Sequence, residues 1–353
     1  MTTSKIQVVK AQGTSLHGTN VSLPDAPFDL RRVKLLSSVN QVPSYIKGVV
    51  YWMSRDARVQ DNWAMLFAQR LALKNRVALH VCYCLLPKFL DATIRHFRFL
   101  LSGLQEVESE LKSLNIEFHL LRGAADEVLC DFVKKNYIGA VVTDFSPLRT
   151  PLSWVDSFKR NLSQDIPFWQ VDAHNIVPLW AASDQLESAA YTIRGKIKGQ
   201  LKEFLTPFPP VLKHPFSSSE KAELVDWELA ESSLQVDRSV GEVAWAQPGT
   251  AAAHKMLQHF ISNGLRLYGT MRNEPNVKAQ SNLSPWIHFG HISVQRCALT
   301  IQELRSKYPE SVDSWLEQAI IRRELADNFC YYNPNYDNFN GADGWARKTL
   351  DDH

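Results

Sequence analysis

GVVYWMSRDARVQDNWAMLFAQRLALKNRVALHVCYCL, residues 48–85, decides the fold. GVVYWM (48–53) is a short β-rich apolar run bounded by polar residues, as a strand requires. DNWAMLFAQRLAL (61–73) carries apolar residues at helical spacing, with Asp61 at the helix start. VALHVCYCL (77–85) is again a strand. Strand, helix and strand in one short stretch predict a parallel pair joined by a crossover helix. The theme repeats outward. FRFLLSGLQEVESELKSL (97–114) predicts a helix closed by Asn115, IEFHLL (116–121) a strand, 125–135 a helix, IGAVVTDF (138–145) a strand, and FWQVD (168–172) a fifth strand. The fold class is therefore α/β over residues 46–180, a doubly wound parallel sheet. Such sheets bind ligands beyond the carboxyl ends of their strands, so Met53 to Arg58 and Asp144 to Arg149 are expected to line a crevice.

On either side the pattern changes. Residues 1–45 are rich in Ser, Thr and Gly, with five cations against Asp25 and Asp29, and read as a disordered tail, with organelle targeting as the alternative. Residues 181–250 contain TPFPP, HPFSSSE and AQPG and read as an interdomain linker. Residues 251–353 read as an all-α domain built on AAAHKMLQHFISNGL (251–265), SPWIHFGHISVQRCALTIQELRSKY (284–308) and SVDSWLEQAIIRRELADNFCYY (311–332). Ser311 and Ser314 are N-cap candidates for the last helix, and Pro309 ends the one before it.

A formal charge of +2 over 353 residues makes any nucleic-acid surface a local patch. Five scattered cysteines, mostly inside apolar runs, suit reduced thiols, and Cys82 and Cys84 lack the second pair or neighbouring His of a zinc site. No apolar run approaches the ~20 residues of a membrane helix, so a soluble protein is expected. Neither GxGxxG after a strand nor GxxxxGK[ST] is present, which argues against ordinary dinucleotide or nucleoside-triphosphate sites. YGTMRNEPNVKAQSNLSPWIHFGHIS (268–293) is dense in hydroxyls, amides and aromatics before a helix expected to begin near Pro285. Ser281 and Ser284 beside the unpaired N–H groups of a helix start suit diphosphate oxygens, while the blander reading is a capped helix entrance without ligand.

MSRDARVQDNWA (53–64), SNLSPWIHFGHIS (281–293) and IIRRELADNFCYYNP (320–334), with YTIRGKI and the following KEFLTPFPP, resemble class II cyclobutane pyrimidine dimer photolyases of the photolyase/cryptochrome family. The resemblance runs from about Gly48 to the last residue. It implies an α/β antenna domain and a helical domain holding FAD, whose reduced, excited form gives one electron to a dimer flipped out of UV-damaged DNA. It implies that Tyr268, Gln280, Ser281, Asn282, Leu283 and Ser284 cradle the adenine-diphosphate part of FAD, with Arg323 and Asn328 as further flavin neighbours. Arg272 would face the lesion strand.

Glu317, or Gln318 if the register is one residue off, would hydrogen-bond the dimer as it gains charge. Glu317 could do so only if protonated, so burial is expected to raise its pKa. Glu324, beside two arginines, is read as a salt-bridge partner, and the histidines as capping or core residues. A folate or deazaflavin antenna would fit the crevice, and so would nothing. A monomer is expected, nuclear in a eukaryote and otherwise cytoplasmic.

The family continues beyond WARKTLDDH for on the order of 100 residues, so the resemblance implies an incomplete helical domain here. The rival readings are a cryptochrome-like flavin photoreceptor, a catalytically inactive short isoform and a non-catalytic nucleotide-binding module.

Overall fold

The computed structural model describes residues 28–353, so most of the expected tail lies outside the described residues. Six strands form one sheet: β1 (Val33–Leu35), β2 (Gly48–Trp52), β3 (Ala78–Leu85), β4 (Glu117–Arg122), β5 (Ile138–Asp144) and β6 (Phe168–Val171), in the order β1-β6-β5-β2-β3-β4. The five strands expected from sequence are all present and parallel, and β2 and β5, at the centre, are buried along their whole length. Helices α1 (Trp63–Asn75), α2 (Ile94–Ser113), α3 (Ala125–Lys135) and α4 (Arg149–Asn161) connect them. Asn62, not Asp61, caps α1, its side-chain oxygen accepting the N–H groups of Ala64 and Met65.

The tail reading of 1–45 is corrected at its end. Val33–Leu35 pairs antiparallel with β6, and the single 3-10 turn Leu30–Arg32 before it puts Arg32 inside the protein. The Arg32 guanidinium donates to the carbonyls of Asp172 (3.3 Å), Asn175 (3.0 Å), Ile176 (2.7 Å) and Phe204 (3.3 Å). Burial lowers its pKa to about 10, which still leaves it charged at neutral pH.

The linker reading of 181–250 is corrected too. After the short turn α5 (Leu179–Ala182), α6 (Ala190–Phe204) seats Ile193, Ile197 and Phe204 in the core of the helical layer. Only the stretch after it is irregular, and it returns along the α/β layer: Gln60 and Gln69 accept the amides of Val211 and Leu212. The chain then forms α7 (Trp227–Ser232), α8 (Thr250–Asn263), α9 (Leu265–Met271), α10 (Ser284–His288), α11 (Val294–Gln302), α12 (Pro309–Leu316), a π-helical stretch Glu317–Arg322, α13 (Arg323–Tyr332) and α14 (Gly344–Asp351).

The helix expected over 284–308 is broken at Gly290, whose φ is +74° and whose place for a Cβ lies 2.4 Å from the Arg55 carbonyl and the Ala57 amide nitrogen. Only glycine permits both the left-handed turn and that approach of the two layers. Pro309 opens α12 instead of ending its predecessor. Ser311 lies inside that helix and accepts the Gly269 amide at 2.9 Å.

Arg32→Met is expected to lower unfolding free energy by at least ~3 kcal/mol, because it strands four buried carbonyls. Arg31→Met, next to it but on a surface ion pair with Asp29 and Glu203, is expected to cost about 1 kcal/mol or less. Urea titration of both variants checks the contrast.

Candidate functional site

The segment from Tyr268 to Ser284 is anchored at both ends by apolar burial. Tyr268 on α9 packs edge-to-face on Phe260 with ring centroids 5.6 Å apart, and Leu283 and Trp286 sit in the same core. Trp286 also donates its indole N–H to the Gln247 carbonyl at 2.8 Å. Between the anchors the polar groups are left toward solvent: Gln280, Asn282 and Ser284 are exposed and Ser281 is half-buried. Asn282 takes φ +54°, a left-handed turn that asparagine tolerates better than most side chains.

Gln280 hydrogen-bonds the Arg272 carbonyl. Arg272 closes α9 and donates from Nη1 to the Gly269 carbonyl (3.2 Å) and the Ser314 hydroxyl (3.0 Å). The hydroxyls of Ser281 and Ser284 have no hydrogen bond within the described residues. Two hydroxyls, two amides and a nearby guanidinium form a donor set suited to an anionic diphosphate, and to that extent these residues fit the end of FAD assigned to them.

The other flavin candidates are placed differently. Arg323 donates from Nε to the Ala319 carbonyl and from Nη2 to the His174 carbonyl, both at 3.0 Å, while its buried Nη1 has no partner among the described residues. That N–H group can serve an acceptor from outside the described chain. Asn328 has its amide engaged at both ends: its oxygen accepts the Glu187 amide (2.8 Å) and its nitrogen donates to the Gln185 carbonyl (3.0 Å). It ties α13 to the segment before α6, and none of its hydrogen bonds reaches the 268–284 loop.

Glu317 departs from expectation. Arg194 of α6 grips it at 2.6 and 3.1 Å, and that hydrogen bonding, helped by the charges of Arg194, Arg322 and Lys198, holds its carboxyl below the usual range. It is an ionised, half-buried partner of an ion pair and not a protonated donor. Gln318 beside it is exposed and makes no hydrogen bond within the described residues.

The predicted crevice is closed. Asp144, at the carboxyl end of β5, accepts the amides of Ser54 (2.8 Å) and Arg55 (2.9 Å) and the Tyr51 hydroxyl (2.7 Å), so the two expected stretches do meet. The helical layer covers them. Asp327 of α13 takes the Arg55 guanidinium through two 3.0 Å bonds, and Arg58 bridges Asp56 (2.6 Å) and the Gly290 carbonyl (2.9 Å). His174 meets Asp56 at 3.2 Å.

Burial and the neighbouring Asp56 push Asp144 up to about 6. Burial opposes ionisation of Asp56, but Arg58 and His174 keep its carboxyl far below the ordinary value. Sequence reading missed this seam. Its only signal was the cluster Arg55, Asp56, Arg58, three charges directly after a fully buried strand.

Glu324 lies in the same seam. It is the internal ion-pair partner expected, with Arg323 at 3.8 Å, and its Oε1 also accepts the Ile176 amide at 2.7 Å and the Val177 amide at 3.3 Å. Burial, and the neighbouring Asp172, push it up to about 8 against the opposing pull of Arg323.

Comparison with known proteins places these features in context. The family profile described as DNA photolyase matches residues 49–213. Deoxyribodipyrimidine photo-lyase of Potorous tridactylus is 54% identical over 332 residues, covering 94% of this chain and 62% of the relative. The Arabidopsis thaliana protein of the same name is 42% identical, covering 91% of this chain and 67% of its own length. The chain therefore spans less than two thirds of the first of these relatives. A bacterial class III photolyase from Agrobacterium tumefaciens shares the fold, with TM-score 0.66 at 19% identity over 85% of this chain and 62% of that one.

Glu324 gives this seam a pH signature. Its folded-state pKa is raised, so the folded protein holds a proton that the unfolded chain releases above about 4.5. Its contribution to stability is complete below that pH and is lost as pH rises toward about 8, at up to ~1.4 kcal/mol per pH unit. Glu324→Gln, which keeps an oxygen for the two amides, is expected to gain stability relative to the parent protein between pH 5 and 8. Urea melts at both pH values check this, and a difference independent of pH contradicts it.

Proposed function

Because the chain belongs to the DNA photolyase family, we propose that it forms the α/β layer and the first part of the helical layer of a deoxyribodipyrimidine photo-lyase, which splits cyclobutane pyrimidine dimers in DNA with light. The observation that carries the reading is the identity to two deoxyribodipyrimidine photo-lyases across both layers of this chain. The polar shelf at 268–284 beside Arg272 agrees with it. FAD, reduced and photo-excited, supplies one electron to the dimer when bound.

This chain's residues bind and orient. The hydroxyls of Ser281 and Ser284 and the amides of Gln280 and Asn282 offer hydrogen bonds to the diphosphate, on a loop fixed by Tyr268 and Leu283. Arg323 offers its unpaired Nη1 as a further donor. Arg272, held by Ser314, presents a cation to a DNA phosphate, a contact that positions without reading sequence. Gln318 is the neutral donor on the stretch where negative charge on the dimer would need one. Glu317 is ionised and engaged by Arg194, so its part is to position the helix. An antenna pigment of folate or deazaflavin type would have to bind elsewhere than the closed end of the sheet, where Asp327 and His174 occupy the space.

In full-length protein with reduced flavin, light is expected to restore dimer-containing oligonucleotide, and darkness is not. A protein that binds flavin and leaves dimers intact in light would be a photoreceptor and would contradict the reading. Gln318→Ala is expected to lower dimers split per absorbed photon, with dimer-DNA affinity changed by no more than one hydrogen bond of ~1 to 3 kcal/mol. Glu317→Ala is expected to repair at the parental yield. The reverse pattern would return the role to Glu317.

A further inference from the structure

We infer that the outward face of α6 is a docking surface for the phosphodiester backbone of DNA, continuing the contact at Arg272. The inference rests on the proposed repair function and adds to it a surface 70 residues earlier in the chain. Tyr191, Gly195, Lys198 and Lys202 recur along α6 at the spacing of one helix face, and all four are exposed, Tyr191 by 74%. The opposite face is fixed by Ile193, Ile197 and Phe204 in the core, so the outward residues stand on a rigid element.

Charge points to the occupant. Lys198 and Lys202 have no ion-pair partner within the described residues. Arg194 and the exposed Arg322 flank the single carboxylate of Glu317, and Glu203 is turned to Arg31. The face therefore carries surplus positive charge on a chain whose net charge is only +2, as local recognition of an anionic polymer requires.

The patch is continuous with the proposed lesion contact. Arg272 bonds Ser314 of α12, Glu317 follows three residues later at the start of the π-helical stretch that continues α12, and Glu317 bonds Arg194 of α6. Glycine supplies a second argument. Gly195 and Gly199 lie inside α6, neither has a positive φ, and a Cβ at either would meet nothing within 4 Å among the described residues. Packing explains Gly290 and leaves these two unexplained, although alanine would serve a helix better. Bare helix backbone between lysines lets a partner's backbone come close.

The test uses the full-length protein and dimer-containing duplex between about 50 and 200 mM salt. Lys198→Gln/Lys202→Gln is expected to reduce the slope of log K against log salt by about 2 and to weaken binding on the order of tenfold at low salt. Tm, flavin content and repair per photon at saturating DNA are expected to stay unchanged. Gly195→Ala/Gly199→Ala is expected to raise Tm while weakening DNA binding. An unchanged salt slope in the lysine pair, or unchanged affinity in the alanine pair, overturns the surface. If parental protein binds no dimer DNA at all, the repair reading falls with it. Parental binding and repair with unaltered variants overturn the surface alone.

Discussion

The turn that follows β6, residues 172–177, is the joint on which the two layers depend. It is buried, so each of its polar backbone groups needs a partner from the protein. Asp172 folds the turn on itself by accepting the amides of Asn175 (3.0 Å) and Leu179 (2.8 Å). The remaining partners come from far along the chain: Arg32 from one end takes three carbonyls, while Arg323 takes the His174 carbonyl and Glu324 takes the amides of Ile176 and Val177. Asp327 accepts the Asn175 side chain at 3.0 Å and grips Arg55 on the other side. Pulling α13 from the sheet would leave buried donors and acceptors on both layers unpaired at once. Packing by apolar contact alone would impose no such requirement.

The same seam sets its own protonation. Five carboxyls, Asp56, Asp144, Asp172, Asp327 and Glu324, face four guanidiniums, those of Arg32, Arg55, Arg58 and Arg323. His174 is pushed down to about 4 by burial and by Arg55, and so adds no charge at neutral pH. A buried excess of anions is costly, and the group that burial raises furthest takes the proton. That group is Glu324, whose Oε2 has no partner among the described residues. Arg55 has the opposite effect on Asp327, holding its carboxyl low although burial would raise it.

The sheet was legible because its strands are runs of apolar residues whose period differs from the helices between them. β1 was not, since VKL is three residues at an edge and its anchor, Arg32, is a cation that hydropathy assigns to solvent. α6 was hidden by its Pro-rich surroundings and its own two glycines and four basic residues, although Ile193 and Ile197 carry its buried face. The loop from Tyr268 to Ser284 was found by composition and lies open as its polar residues suggested. The partners of two site candidates escaped the sequence for one cause. Glu317 owes its ion pair and its lowered pKa to Arg194, 123 positions away, and Asn328 is engaged by Gln185 and Glu187, so local pattern carried no trace of either partner.

The central claim is that the two layers are joined through polar contacts and not merely apposed. A double-mutant cycle on Arg55 and Asp327, using Arg55→Met, Asp327→Asn and the double variant in denaturant unfolding, tests it directly. Bidentate contact in a buried site is expected to give a coupling of at least ~2 kcal/mol, with the double variant more stable than the sum of the single losses implies. A coupling below ~0.5 kcal/mol would mean that the seam is incidental to the fold.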